Sequence, residues 1–588
     1  MSARAPHLPY RPGIDGLRTV AVLAVLLYHA EVGWAAGGFL GVDVFLVISG
    51  YLITSLLLAE HARTGRLDFR RFWRRRARRL LPAVFVLIAV CLVFAGIFAR
   101  GDVARLRGDA LASVLYVQNW HLVLAHQSYF EIFARPSLLR HLWSLAVEEQ
   151  FYLLWPPLFA LGLRALGRRR LALGVGIAGL VSVVLMAALF HSGKDPSRVY
   201  YGTDTRAIGL LVGVGLAFVW HPSRLRGPGG RNAGPVLDVV GVIALAVLLV
   251  LLSRVQDFSS GLYRGGFAGV TVVTAVLLAV LAHPAARLGR WLGAAPLRWL
   301  GLRSYGIYLW HWPVIAMTRP GLDVHVTKWV LVPLQAAAAV GLAAASYRWV
   351  EMPVRRGTAL PWLRSVLARA RPRQRLGFAG AAAAATVGVL ALIATAPAPP
   401  GGQAQALVTH PARAKLARPA APGERGVSGP VRRGPVLAVG ESVMLRAAPA
   451  LQEVIGNRIA VDASVARQAS DIIGVLQGYR AGKGGLPGGV VVQVGDNGPI
   501  ESDQVPPLRA ALAGVRRVVF VTVRVPRRWQ DPNNELIRAL VQGWPQARIA
   551  DWNAVTATRG DLLEDGIHPD PEGTALYAQV IERALVAP

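Results

Sequence analysis

Eleven apolar stretches punctuate this chain, each near the length that crosses a lipid bilayer. They lie at 12–30, 38–59, 80–98, 142–163, 171–190, 205–220, 235–253, 265–283, 304–318, 327–347 and 376–396. A spanning helix needs about 20 apolar residues, because in hydrocarbon the backbone must satisfy its own polar groups. One soluble core does not accommodate so many runs, so residues up to 396 are restricted to a bundle of membrane helices. A hydrophobic content of 54% over 588 residues points the same way. The stretch 109–125 carries Gln118, Asn119 and His121 and reads as interfacial or re-entrant.

A net charge of +31 would by itself admit nucleic acid as a partner. The placement of the charge argues for a lipid bilayer instead. Arg63 to Arg79, Arg168 to Arg170, Arg224 to Arg231, Arg287 to Arg303 and Arg348 to Arg375 fall in alternate loops, while 31–37, 191–204 and 319–326 are poor in Arg. Basic loops face the cytoplasm. This sets the N-terminus inside and everything after residue 396 outside, in a multi-pass protein of the cell membrane. No signal-peptide cleavage pattern precedes the first run, so it is expected to stay as a helix. Cys91 is the single cysteine, which excludes an internal disulfide and a cysteine metal cluster.

Residues 397–434 are rich in Ala, Pro, Gly and Arg without hydrophobic period, as expected of a tether. From 435 the pattern changes. Val436 to Val439, Val490 to Val494 and Val518 to Val525 are β-branched runs with helical patterns between them, which predicts a small α/β domain on a parallel sheet.

That domain carries three short motifs: Gly440-Glu441-Ser442, Gly495-Asp496-Asn497-Gly498 and Asp565-Gly566-Ile567-His568. The first and second follow strand-like runs, so both reach one sheet edge. Ser442 can serve as nucleophile, His568 as its base and Asp565 as the group that fixes the histidine tautomer. Gly495 and the Asn497 amide are candidates to bind an oxyanion.

The membrane part holds a second set. Arg18 and His29 stand eleven positions apart in the first span. They therefore share a helix face and are about 16 Å apart along the axis. Asp43, Glu148 and Glu149 are expected at the depth of His29, where a carboxylate beside a histidine makes a general base for a hydroxyl. Arg74, Arg75, Arg76, Arg78 and Arg79 can hold the phosphates of a nucleotide-like donor, or anchor the helix on the cytoplasmic side. His191, His221 and His283 read as solvated or interfacial. No spacing reads as a metal site, and no phosphate-loop or dinucleotide motif is present.

Several segments together resemble the acyltransferase-3 family of membrane acyltransferases. They are Tyr28-His29, Gly38 to Phe45, Ser49-Gly50-Tyr51-Leu52-Ile53, the basic segment ending Leu80-Leu81-Pro82, Trp143 to Tyr152 and Ser304 to Pro313, in order over about 10–355. The resemblance implies a ten-helix domain that uses cytoplasmic acyl-CoA, commonly acetyl-CoA, to acylate an extracytoplasmic glycan. The family's basic-residue-to-His motif falls on Arg18 and His29. Its R-x-x-R motif falls on Arg75 and Arg78 or on Arg76 and Arg79, and its glutamate on Glu148 or Glu149.

The C-terminal motifs are similar to the SGNH hydrolase/transferase superfamily, and more closely to domains fused to acyltransferase-3 proteins that O-acetylate peptidoglycan or other surface polysaccharides. That likeness implies that Ser442 carries a transient acetyl ester. Three positions depart from the pattern: Glu441 replaces an Asp, Ala466 replaces the second-block Gly whose N–H would help bind the oxyanion, and Asp496 replaces a small polar residue.

The expected architecture is a polytopic α-helical membrane bundle, a ten-helix acyltransferase core plus an eleventh span, with a C-terminal extracytoplasmic α/β SGNH-like domain. Its parts are the membrane domain 1–350, a basic cytoplasmic loop 351–375, the eleventh helix 376–396, the linker 397–434 and the SGNH-like domain 435–588. The expected activity is an O-acyltransferase with acetyl-CoA as donor and no metal. The alternatives are an acyltransferase whose SGNH-like domain only binds glycan, and a surface glycan esterase.

Overall fold

The computed structural model describes residues 9–358, 361, 431 and 433–588, apart from 126, 130–135, 193, 223–224, 226–232, 321–322, 466 and 483. The expected eleventh span, most of the basic loop before it and nearly all of the linker lie outside the described residues, as does Ala466. The described chain forms two compact units, one helical and one C-terminal.

The helical unit contains α1 (Pro12–His29), α2 (Gly41–Thr64), α3 (Phe69–Phe98), α4 (Val103–Val114), α5 (Gln118–Leu124), α6 (Leu142–Leu189), α7 (Thr203–Val219), α8 (Ala233–Arg254), α9 (Phe267–Ala282), α10 (Ala295–Met317) and α11 (Lys328–Ser346). Local chemistry sets their ends. Pro12 opens α1, where its missing N–H is not needed. Gly65, at φ +65°, closes α2 in the left-handed conformation glycine adopts without cost. Asp68 caps α3 by accepting from the Arg71 N–H at 2.9 Å. At 48 residues α6 is too long for one crossing, and Gly167 (φ 71°, ψ 170°) breaks it between the two stretches expected there.

Among the described residues, seven helices are long and apolar enough to cross a membrane, α6 counted once. The protein is a multi-pass membrane protein. The stretch 109–125, expected to be interfacial or re-entrant, contains no single long helix. It forms the short helices α4 and α5, and Gln118 and Asn119 are buried. Gln118 donates to Asp109 at 3.0 Å, and Asn119 donates to the Thr203 hydroxyl at 2.9 Å. Internal partners satisfy these buried amides.

Small residues bring the helices into backbone contact. A Cβ at Gly50 of α2 would stand 2.0 Å from the Leu210 carbonyl oxygen of α7, and one at Gly213 would stand 2.1 Å from that of Val47. The buried pair Asp43–Arg206 joins the same helices at 2.9 Å. Gly213→Val is therefore expected to lower the unfolding temperature of the detergent-solubilised protein by several degrees. An unchanged transition would mean the two helices tolerate separation. On α1, a Cβ at the facing Gly301 of α10 would stand 1.9 Å from the Asp15 carbonyl oxygen, and Thr19 donates to the Leu297 carbonyl at 2.5 Å. This seam sets α1 against α10.

In the C-terminal unit, β1 (Val436–Gly440), β2 (Ile459–Ala463), β3 (Gly489–Gln493), β4 (Arg517–Val521) and β5 (Ala547–Ala550) form one parallel sheet in the order β2-β1-β3-β4-β5. The strands β1, β3 and β4 are buried throughout. That burial explains their continuous valine runs, since helices cover both faces of such a sheet. The strand order reverses between β1 and β3. A crevice opens at such a switch point beyond the carboxyl ends of the strands, and the loops carrying Ser442 and Asn497 leave those ends.

Candidate active site

Ser442 begins a short helix, Ser442–Arg446, directly after β1 and Glu441. Its Oγ lies 3.0 Å from His568 Nε2, and His568 Nδ1 lies 2.7 Å from Asp565 Oδ2. The second Asp565 oxygen accepts the backbone N–H groups of Ile567 (3.0 Å) and His568 (2.7 Å). Burial works to raise the Asp565 carboxyl, but the hydrogen bond and charge of His568, with the two N–H groups, outweigh it and hold it at about 2. An ionised Asp565 fixes Nδ1–H on His568 and leaves the Nε2 lone pair facing the Ser442 hydroxyl. That arrangement can take the serine proton as its oxygen attacks an acyl carbon.

The Glu441 substitution has a clear structural outcome. One carboxyl oxygen accepts from the Gly495 N–H at 2.7 Å and the other from the Asn497 N–H at 3.0 Å. The longer side chain spans from the nucleophile turn to the loop after β3 and does not disrupt the turn. It also corrects one expectation: the Gly495 N–H is committed to Glu441 and does not serve an oxyanion. Gly495 is still required by its backbone, at φ +104°, where a Cβ would meet Asn533 Nδ2 at 2.6 Å. The Asn497 amide donates one hydrogen to the Arg467 carbonyl at 3.2 Å, and a second hydrogen on the same nitrogen can serve an oxyanion.

Asp496 is buried next to this strut and accepts from the Gln493 amide. Burial, then the Asp496 charge, pushes Glu441 well above the ordinary carboxyl range, against the N–H groups of Gly495 and Asn497. Burial likewise raises Asp496. The folded state then holds a proton that the unfolded chain releases near pH 4, so stability falls as pH rises above that range. Asp496→Asn is expected to raise the unfolding temperature of this unit at about pH 8 and to leave it nearly unchanged at about pH 4. Calorimetry across that interval checks it. Parallel curves for the two proteins would mean the pair holds no extra proton.

In the helical unit, a cavity of about 210 Å³ is lined by Arg18 of α1, Ser49 of α2, Arg76 and Arg79 of α3, and Glu148 and Tyr152 of α6. The hydroxyls of Ser49 and Tyr152 both donate to one Glu148 oxygen. Arg76 stacks its guanidinium 5.0 Å from the Tyr152 ring centroid. The sequence leaves two registers open for the R-x-x-R motif. In the fold, Arg76 and Arg79 face the cavity, whereas Arg75 and Arg78 are exposed. Glu148 lines it too; Glu149 does not, and its Oε1 is buried without a hydrogen-bond partner among the described residues.

The expected grouping of His29 with carboxylates is corrected. Glu148 sits in the cavity with Arg18, and Asp43 pairs with Arg206. His29 instead approaches His311 of α10, 3.2 Å between Nδ1 and Nε2, with the Trp312 ring 5.0 Å away. The helical rise explains this. Glu148 lies about two turns along α6 from its start at Leu142, too far to meet the end of α1. His221 also departs from a solvated reading: it is buried, with Nε2 2.9 Å from the Ser55 carbonyl oxygen.

Residues 11–348 match the family model described as an acyltransferase domain, acyltransferase-3. The chain belongs to the acyltransferase-3 family. Along its length this acyltransferase is similar to the peptidoglycan O-acetyltransferase OatA of Listeria monocytogenes, with 35% identity covering 98% of each chain. It is 33% identical to the putative peptidoglycan O-acetyltransferase YrhL of Bacillus subtilis over 100% of both chains, and 33% identical to the O-acetyltransferase OatA of Staphylococcus aureus strain MRSA252 over 98% of this chain and 96% of that one. Among solved structures, the C-terminal catalytic domain of Streptococcus pneumoniae peptidoglycan O-acetyltransferase A, carrying a methylsulfonyl adduct, aligns with 27% of this chain and 94% of that domain at 23% identity and TM-score 0.25.

In this acyltransferase-3 protein, sequence reasoning missed the groups that hold the others in place. Arg467 donates to the Gly440 carbonyl (3.3 Å) and to Asp462 (2.8 Å), tying the β1 and β2 loops together. The Gln493 side-chain oxygen Oε1 accepts from the N–H groups of Glu441 (3.2 Å) and Met444 (3.0 Å). The Gly440 contact of Arg467 and the role of Gln493 depend on partners from β1 and the turn after it, which neighbours in sequence do not signal.

Proposed function

We propose that this acyltransferase moves an acetyl group from cytoplasmic acetyl-CoA to hydroxyls of an extracytoplasmic glycan through an acetyl ester on Ser442. Peptidoglycan is the acceptor suggested by the names of the full-length relatives. The observation that carries the reading is the hydrogen-bonded series Ser442–His568–Asp565 at the switch point of the sheet. In this reading ten helices and the span 376–396 cross the membrane, with the N-terminus inside and the C-terminal domain outside. Arg18, Arg76 and Arg79 hold the donor's phosphates. His29, about 16 Å further along α1, is the base for the hydroxyl that takes the acetyl group from the thioester.

At the outer site the Ser442 oxygen attacks the acetyl carbonyl while His568 Nε2 takes its proton. The leaving oxygen departs with that proton. A glycan hydroxyl then attacks the ester, His568 takes the hydroxyl proton, and Ser442 recovers it. The Asn497 amide and the Ala466 N–H bind the oxyanion in both steps. The test uses the full-length protein in nanodiscs with acetyl-CoA and short peptidoglycan fragments. Mass analysis should find acetyl on Ser442 and on the glycan. Glycan acetylation at the wild-type rate by Ser442→Ala would favour a C-terminal domain that only binds, and acetate without acetylated glycan would favour an esterase.

A further inference from the structure

We infer that His311 is a positioning residue for His29, its own ring fixed by the Tyr308 carbonyl of α10. The inference rests on the reading of His29 as a base. It starts from backbone chemistry. Pro313 lies inside α10 and has no N–H, so the carbonyl of Leu309, four residues earlier, has no donor within the helix. That carbonyl is taken by His141, whose Nε2 lies 3.0 Å away. One residue back, the Tyr308 carbonyl oxygen lies 2.6 Å from His311 Nδ1.

A carbonyl only accepts, so each contact assigns a proton. His311 carries its hydrogen on Nδ1, and the neutral ring then has its lone pair on Nε2. That nitrogen is 3.2 Å from His29 Nδ1, which also lies 2.9 Å from the Val25 carbonyl oxygen. Val25 again only accepts, so His29 carries its hydrogen on Nδ1 and shares it between Val25 and His311. The lone pair of His29 is left on Nε2. His311 is fully buried, and the packing of α1 on α10 through Gly301 and Thr19 holds the two rings in register.

His311 therefore does for His29 what a carboxylate does in the outer triad, without adding a buried charge. As the acceptor hydroxyl attacks the thioester carbonyl, its proton goes to His29 Nε2. The new carbon–oxygen bond forms, the carbon–sulfur bond breaks, and the departing thiolate takes the proton to leave as the free thiol of coenzyme A. While His29 is protonated, His311 Nε2 and the Val25 carbonyl accept its Nδ1–H, so the ring neither turns nor changes tautomer.

Two near-isosteric variants separate positioning from packing. His311→Gln places an acceptor oxygen near the position of Nε2, whereas His311→Asn falls short of His29. In full-length protein in nanodiscs, release of coenzyme A from acetyl-CoA in the presence of peptidoglycan fragments is followed together with the unfolding temperature. His311→Asn is expected to lower kcat by about 100-fold or more with KM for acetyl-CoA unchanged, and His311→Gln to stay within about tenfold of wild type. Wild-type kcat in folded His311→Asn overturns the inference, as does equal loss in both folded variants. If one variant fails to fold, the kcat of the other decides: an unimpaired His311→Asn or a dead, folded His311→Gln rejects the role. His29→Ala is measured alongside. Wild-type turnover there would reject His29 as the base, whereas an inactive His29→Ala with a fully active His311→Asn would reject the role of His311 alone.

Discussion

Ser442→Ala is expected to cut glycan acetylation by the full-length protein by a factor of about 10³ to 10⁶, while leaving its unfolding temperature within about 1 °C of wild type. The size follows from the triad geometry. In the proposed mechanism Ser442 is the only member that forms a bond to the acetyl group, and His568, 3.0 Å away, has nothing to deprotonate once the hydroxyl is gone. What remains is the oxyanion site and whatever binding energy positions the glycan. His568→Ala should fall in the same range, and the double variant should be no worse than either single one, because members of one proton-transfer unit are not additive. Rates are read from acetylated glycan by mass analysis, with peptide mapping for an ester on Ser442. Additive losses in the double variant would mean that serine and histidine act independently.

Arg76→Gln and Arg79→Gln are each expected to raise the KM for acetyl-CoA by about 10- to 100-fold, the loss of one charge-assisted hydrogen bond of about 1.5–3 kcal/mol. Arg75→Gln and Arg78→Gln should stay near wild type. The contrast rests on placement. Arg18, Arg76 and Arg79 line one cavity against the single carboxylate of Glu148, whereas Arg75 and Arg78 are exposed. An excess of guanidinium groups around one cavity suits a phosphorylated donor, whereas an exposed arginine is screened by salt. Isothermal titration with coenzyme A gives a second measure that does not depend on turnover. A larger effect at Arg75 or Arg78 would assign the motif to the other register and remove this cavity as the phosphate site.

The two sites differ in how legible they were. In the C-terminal unit the motifs of Ser442 and Asn497 each follow a strand of a parallel sheet, and parallel strands end together. Reading Val436–Val439 and Val490–Val494 as strands was enough to bring Ser442 and Asn497 to one edge, and the three-position spacing of Asp565 and His568 lets one side chain reach the other. In the helical unit the residue types were legible and their partners were not. His29 was grouped with Glu148 from expected depth, but depth along separate helices depends on where each begins and how it tilts. Glu148 turns to Ser49 and Tyr152, Asp43 to Arg206, and His29 to His311. The Gly495 N–H was assigned to the oxyanion because the reach of Glu441 across the crevice is a property of side-chain length against strand spacing.

The sequence by itself determined the membrane helices, the α/β domain and the residue types of both sites, because hydrophobic period, glycine, proline and β-branched runs act locally. The break at Gly167 and the freed carbonyl before Pro313 belong to the same class, since each follows from one residue's backbone chemistry. Only the tertiary structure decided which arginines of the basic segment face inward, which glutamate lines the cavity, what Glu441 bridges and which histidine meets His29. Those choices depend on the rotation of each helix about its axis and on contacts between residues far apart in the chain, and no local pattern of residues encodes them.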